Sequence, residues 1–585
     1  MIDTVLANSI GKQGAYLPLT PPYTPARSRV NSAELPAASA SSESAENHVD
    51  PATHLPTPPH TPAKLPSQAV WERRLGDTEL SYFLPSRAEG VNDMYLCIDF
   101  NAPSALVTDA RVHTVWAILR TRHPLLGAQV RMQEGEYDSA SFRYSATGSA
   151  GEELDRASEN LRISTQTKDE VILDYLNGPR LLSKEQPAYL LFARERPTSA
   201  PPADETRPTP EASPRLDTPP AVTEGPEQAE FHFCLCTTHY LGDGMALHKT
   251  ANEFFHLLGG ELSESDLTEL FEREWAERYD LPGGDQSPLP EALEAKLPPV
   301  PIRSFAPQAA HVDFENMKRK TIGGHIMPRQ KLGPRKTTVP TVPFSKEETK
   351  QLLKECKKHG VTISHVIFAL CNLVWAGIKL PGGEALPTMM YSAANLRQYF
   401  AHIPESHFYL AVGYFNIMLP SFIPRTLTPS QVLWHRSQSV KRQMNAAVGS
   451  KMFVSRARLM AAERAEQAKR WAAEDDARAA GNWTPPTPPV PVHMDTQPKV
   501  PSQALLGLSM LGNLDAIYAH ASYRRLELHG LTTGSRQRGG AMLLFAYTFA
   551  GRLWLSLGYD ENGFEKESVG RFWNGLLEGV REHLL

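Results

Sequence analysis

Apolar residues recur with two different periods along this chain, and the switches between them mark its elements. Phe231 to Thr238 (FHFCLCTT) alternates and is rich in aromatic, Cys and Thr residues, which predicts a strand. From Met245 the period changes. Met245, Leu247, Ala251, Phe254, Phe255 and Leu258 follow helical spacing, and Gly259-Gly260 supplies the stop. Upstream, strands are expected over Met94 to Phe100, Gly127 to Met132, Ser141 to Tyr144 and Tyr189 to Arg194. Downstream they are expected over Thr388 to Ala393, Val412 to Leu419 and Leu505 to Asn513. Ala541 to Phe549 and Arg552 to Tyr559 flank Ala550-Gly551, a hairpin signature.

Helix starts are marked by caps. Thr108 precedes Asp109 and the buried stripe Val112, Val115, Trp116 and Leu119. Asp169 to Leu176 reads as a short helix, and Ser263 caps an acidic one running to Tyr279. Ser345 with Glu348 forms a capping box for a helix that ends at Gly360. Thr362 to Gly377 is apolar nearly all round, which predicts a buried helix too short to span a membrane. Further helices are expected from Pro429 to about Val448 and from Phe572 to Leu584. Strands that do not alternate strictly with helices predict an α+β fold in two halves.

Proline breaks this pattern in a few places, because the chain's 49 prolines are crowded into segments. Residues 1–68 are rich in Pro, Ser, Thr and Ala and cannot bury enough apolar surface to offset their ordering entropy, so a disordered tail is expected. Within it TPPYTPAR (Thr20 to Arg27) is echoed by TPPHTPAK (Thr57 to Lys64), and TPPTPP recurs at Thr484 to Pro489. These Thr-Pro pairs suit proline-directed phosphorylation or polyproline docking, though a plain low-complexity tail is the simpler reading. Residues 196–229 read as a disordered insertion in a first half spanning 69–300. Residues 301–340 read as a crossover linker, carrying the basic cluster Lys318, Arg319, Lys320, Arg329, Lys331, Arg335 and Lys336. That cluster is read as a solvated face, with contact to a polyanionic ligand as the alternative. The second half spans 341–585 and contains an insertion at 455–502, an exposed charged helix followed by a Pro-rich stretch.

A net charge of -5 argues against a nucleic-acid partner. The five cysteines, Cys97, Cys234, Cys236, Cys356 and Cys371, are scattered, so neither a disulfide framework nor a metal site is expected. Cys234 and Cys236 share one strand face and read as packing residues. No apolar run reaches the length of a membrane span, and the start MIDTVLANSIGKQG lacks a signal-peptide core. A reducing, cytoplasmic setting and a monomer are the expectations.

The candidate chemistry sits where the central strand meets its helix. His239 is placed at the strand end, Asp243 four residues on, and Gly242 and Gly244 allow a tight turn between them. A rigid strand end can aim an imidazole into a cavity, where it acts as a general base. The sequence THYLGDG resembles the HxxxDG motif of the CoA-dependent acyltransferase superfamily. That superfamily embraces alcohol acyltransferases, chloramphenicol acetyltransferase, fungal trichothecene O-acetyltransferases and peptide-synthetase condensation domains. Arg74-Leu75-Gly76 with Glu79, Thr121 to Leu126 (TRHPLL), Phe344 to Trp375, Asn395-Leu396-Arg397 and Arg538 to Asp560 resemble its other stretches, in the same order. The resemblance runs from about Trp71 to the C-terminus.

It implies two chloramphenicol acetyltransferase-like halves with a tunnel at their interface. It implies acyl-CoA, acetyl-CoA foremost, as co-substrate with no bound cofactor, and a small-molecule alcohol as acceptor. His239 would be the base. Asp243 would be structural and, with Gly244, shape the loop; its partner would be Arg397 or Arg122, with Arg397 favoured. Ser509 and Asn513 are the candidate oxyanion donors. Thr238 stands where condensation domains carry a first His, and no DFGWG stretch is present, which favours a free-standing, fungal acetyltransferase-like O-acyltransferase. A condensation-type enzyme using carrier-bound donors and a non-catalytic interaction protein are the alternatives.

Overall fold

In the computed structural model, the structure describes residues 69–194, 228–279, 287–300, 305–378, 386–402, 404–484 and 501–585. The tail 1–68 with its two Thr-Pro repeats, residues 196–227 of the insertion expected at 196–229 and the Pro-rich stretch 485–500 lie outside the described residues, while the last two residues of that insertion begin the strand Gln228–Thr237.

A five-stranded sheet and an eight-stranded sheet form the two halves. The five-stranded sheet is ordered Glu527–Ser535, Met94–Pro103, Gln228–Thr237, Ala188–Arg194, Leu161–Ser164. The main path of the other is Thr341–Pro343, Arg552–Asp560, Met542–Phe549, Ser502–Asn513, Thr388–Asn395, Val412–Leu419. Its inner strands Thr388–Asn395, Ser502–Asn513 and Met542–Phe549 run parallel, and the hairpin Met542–Phe549/Arg552–Asp560 is antiparallel. The halves are not separate in sequence. Glu527–Ser535, from the C-terminal part of the chain, pairs with Met94–Pro103 at the edge of the first sheet. The boundary expected at 301–340 therefore does not divide the sheets, since one edge of the first is completed from the second.

The capping signals act as their chemistry requires. Thr108 Oγ1 accepts from the Arg111 amide at 3.1 Å, and Ser345 Oγ accepts from that of Glu348 at 3.1 Å. Ile363–Gly377 is buried nearly all round because helices Pro429–Val448 and Lys566–Leu584 both pack on it. On Met94–Pro103, Met94, Leu96, Ile98 and Phe100 enter the main core, while Tyr95 and Cys97 enter a smaller core on the other face. Burial on both faces explains why its alternation is weak in sequence.

Two expectations need correction. Cys97 lies directly opposite Cys234 in the pairing of Met94–Pro103 with Gln228–Thr237, and the two form a disulfide. Their separation of 137 residues gave no sequence signal, because only strand register makes them neighbours. Cys236 stays free and buried. The linker 301–340 contains a helix, Ala306–Lys320, and its basic cluster is mostly exposed, as expected of a solvated face, with part of it also paired within the protein. Lys318 pairs with Glu315 and Glu463, Lys336 with Glu561, and Arg335 donates to the Leu176 carbonyl. Finally, the segment expected as an exposed insertion is the 27-residue helix Phe453–Ala479, and it is packed. Ala461, Ala465, Ala468 and Ala472 are buried along one face, and the helix lies against Asp77–Ser86 and Ala306–Lys320. Arg456 pairs with Asp313 at 2.6 Å and Arg87 with Asp476 at 2.8 Å, fixing it at both ends. Among the described residues, no single helix is long and apolar enough to cross a membrane.

Candidate active site

His239 follows the strand Gln228–Thr237 by two residues, and Asp243 caps the helix Gly244–Leu258. The Asp243 carboxylate works in two directions. Its Oδ1 accepts from the Ala246 amide at 3.1 Å, which satisfies a free donor of the first helical turn. Its Oδ2 accepts from Arg397 Nη1 at 2.9 Å and from the Ala411 amide at 2.8 Å. Arg397 Nη2 donates to the Tyr409 carbonyl at 2.7 Å, and its guanidinium lies 4.7 Å from the Tyr409 ring centroid. Asn395 Oδ1 accepts from the Arg397 amide at 3.0 Å, so Asn395-Leu396-Arg397 closes on itself and aims the guanidinium back at Asp243. Burial pushes the Asp243 carboxyl up, but Arg397 and the two amides outweigh it and hold it below its ordinary value.

Arg122, the other candidate partner, lies elsewhere. It binds Glu274 through Nη2 at 2.6 Å and approaches Glu253 at 3.6 Å. Its neighbour His123 bonds Glu253 at 2.7 Å and Ser406 at 3.0 Å, with His407 alongside. The TRHPLL stretch thus fastens a helix end to the loop before Phe408, at a distance from the Asp243 carboxylate.

His239 and Asp243 face a cavity of about 290 Å³ between the two sheets. Its wall takes His239 and Gly244 from the central motif, Thr533 from the crossing strand, and Tyr391 and Ser509 from the second sheet. Gly507 makes room for Tyr391, since a Cβ there would stand 2.4 Å from the Tyr391 ring. Ser509 is part of the lining. Asn513 is not; it ends its strand, accepting from Thr548 Oγ1 at 3.1 Å.

The wall also holds residues that sequence reasoning passed over. Tyr82 stacks on His239, with ring centroids 4.1 Å apart and planes 15° from parallel. The Tyr82 and Tyr414 hydroxyls touch, and Arg464 lies over both rings, at 5.3 and 4.5 Å from their centroids. A signal for Arg464 was present: Ala461, Ala465, Ala468 and Ala472 recur at helical spacing as a small-residue face, the mark of close helix packing.

His239 Nδ1 is enclosed and has no hydrogen-bond partner of ordinary geometry, so Nε2 is the ring nitrogen available to the cavity. Burial lowers the imidazole from 6.5 to about 4, opposed by the backbone of His239 and Gly242 and by Asp243. The ring is therefore neutral, and able to accept a proton, across the physiological range.

His239 shares this depression with other buried histidines, which predicts acid sensitivity. Burial also lowers His248 and His407 to about 3 and His365 to about 4. Each folded-state value lies below the unfolded one, so unfolding takes up protons as pH falls below 6.5. Each group's stabilisation is complete above that pH and is lost by up to about 1.4 kcal/mol per pH unit below it. Asp93, raised to about 6 by burial, offsets part of this loss, and Glu153 and Glu294, which burial also raises, act in the same direction. Urea midpoints should therefore fall between pH 7 and pH 5; a constant midpoint would contradict burial of these rings.

No protein-family model and no curated protein sequence matches the chain. Solved structures do. The TRI3 trichothecene 15-O-acetyltransferase from Fusarium sporotrichioides superposes with a TM-score of 0.64 at 14% identity, covering 90% of this chain and 99% of that one. The first condensation domain of the CDA synthetase superposes with a TM-score of 0.50 at 9% identity, covering 89% of this chain and 97% of that one. The chain thus has the two-half α+β fold common to that acetyltransferase and that condensation domain, as its motifs led us to expect.

Proposed function

We propose that this protein is an acyl-CoA-dependent O-acyltransferase that moves an acyl group, acetyl foremost, from a CoA thioester to a hydroxyl of a small molecule. The observation that carries this reading is His239: a neutral imidazole with an available Nε2, facing a cavity between the two sheets. An alcohol is a weak nucleophile at neutral pH, and a positioned base of this kind removes its proton as the C–O bond forms. The hydroxyl oxygen adds to the thioester carbonyl while its proton passes to His239 Nε2. The tetrahedral intermediate then collapses, the C–S bond breaks, and the proton leaves with the CoA sulfur. Both substrates meet directly, so no acyl-enzyme is required. The Ser509 hydroxyl, in the cavity wall, is the candidate donor to the oxyanion. Asp243, Gly244 and Arg397 hold the loop and do not touch the reacting atoms. The TRI3 enzyme acts by name on a trichothecene, which makes a hydroxylated secondary metabolite the acceptor class to try first.

The test is CoA release from acetyl-CoA in the presence of a panel of hydroxylated terpenoids and other alcohols, with longer acyl-CoAs and phosphopantetheinyl carrier-bound donors in parallel. Acceptor-dependent release from a free CoA thioester is the expected result. Turnover only with carrier-bound donors would move the assignment to condensation chemistry, and none with any donor would overturn acyl transfer.

A further inference from the structure

Arg464 is a cation with no counter-anion in the wall of the reaction cavity. On the same helix Arg456, Lys469 and Arg478 have carboxylate partners in Asp313, Asp138 and Asp475, and Arg458 and Arg470 donate to carbonyl oxygens. Arg464 has no carboxylate partner among the described residues; the groups that act on it are the hydroxyls of Tyr414, Tyr82 and Tyr391. Burial pushes the Tyr82 and Tyr391 hydroxyls up, so these phenols stay neutral and do not balance the charge. Two tyrosine rings flank the guanidinium, as cation–π geometry favours, and Tyr82 takes a hydrogen bond from it. Among the described residues its guanidinium has no other hydrogen-bond partner, and it is partly exposed to the cavity.

Holding a guanidinium in a partly buried wall without a counterion is costly, and the cost is recovered when an anion arrives. A carboxylate is the group whose geometry matches the planar fork. The position limits where on a substrate that carboxylate sits. Tyr82 is shared: one ring stacks on His239 and carries Arg464. The anion therefore lies close to the reacting centre, whereas the phosphates of CoA are the whole pantetheine arm away from the thioester.

We propose that Arg464 forms a carboxylate subsite, which selects a reactant bearing a carboxylate within a few bonds of the reacting atoms. Resting on the acyl-transfer reading above, this narrows the substrates to two sources: a hydroxy acid as acceptor, or a dicarboxylic acyl group such as malonyl on the donor. In either case the carboxylate is bound and not consumed, and the bonds made and broken are those of acyl transfer.

Calorimetric titration of the full-length protein tests this without relying on turnover. One arm compares malonyl-CoA with acetyl-CoA; the other compares a panel of aromatic and aliphatic hydroxy acids with their methyl esters. The expected result is a preference of about tenfold or more for the carboxylate member in one arm. Arg464→Gln should abolish that preference and Arg464→Lys should retain part of it, both variants being checked for native circular dichroism. Equal affinity within every pair, or a preference that survives in Arg464→Gln, would overturn the subsite. CoA release is scored separately. A carboxylate preference lost in Arg464→Gln stands even if no pair turns over, whereas turnover with no such preference leaves acyl transfer intact and removes the subsite.

Discussion

Replacing His239 by alanine should lower acceptor-dependent CoA release by roughly 10²- to 10⁴-fold, the range a positioned general base contributes. The loss should fall on kcat more than on KM, because the imidazole acts as the proton leaves the hydroxyl and adds little to ground-state binding. Circular dichroism should be unchanged, since His239 lies at a strand end and lines a cavity. The wild-type pH profile offers a second check. With the imidazole depressed to about 4, the acid limb of kcat/KM should fall near that pH and not near 6.5. An alanine variant with wild-type turnover, or an acid limb at the ordinary histidine value, would remove His239 from the role of base.

The second large effect is expected at Asp243, and it is one of stability. Asp243→Ala would leave the Arg397 guanidinium, whose side chain is only 11% exposed, without its counterion. It would also strip the Ala246 and Ala411 amides of their acceptor. Removing one member of a buried, hydrogen-bonded ion pair costs about 3–5 kcal/mol. The denaturation midpoint should drop accordingly, and turnover should fall with it because the loop carrying His239 loses its anchor. Asp243→Asn should be milder, keeping an acceptor for the helix cap. Arg397→Met should also be milder than Asp243→Ala, since two amides continue to serve the carboxylate. Similar midpoints for Asp243→Ala and wild type would show that the pair holds nothing in place.

Legibility in the sequence followed how local each signal was. The strand-to-helix switch around His239 could be read because its period change, its glycines and its cap lie within thirty residues. The same holds for the capping box at Ser345 and for the hairpin around Ala550-Gly551, both found in place. The Asp243–Arg397 pair was nearly legible: the family resemblance of Asn395-Leu396-Arg397 favoured Arg397 over Arg122, yet only the loop at Tyr409 and Ala411 completes the geometry. Other features were hidden because they depend on contacts between distant segments. The charged surface of Phe453–Ala479 masked an alanine face at helical spacing, so a wall of the cavity read as an exposed insertion. Asn513 shares a strand with Ser509, but only Ser509 is part of the cavity lining.

What the sequence by itself determined is local: where strands and helices begin, and which residue carries a titratable ring at a strand end. Propensity, capping and periodicity act over a few residues, so they can be read one window at a time. The tertiary structure decided everything that depends on distance in space. It passed Glu527–Ser535 across to the first sheet, brought Cys97 opposite Cys234, and set Arg464 above Tyr82 and so beside His239. The physical reason is that strand pairing and helix packing join residues hundreds of positions apart, and the interaction free energy between two side chains depends on their separation in space and not on their spacing along the chain.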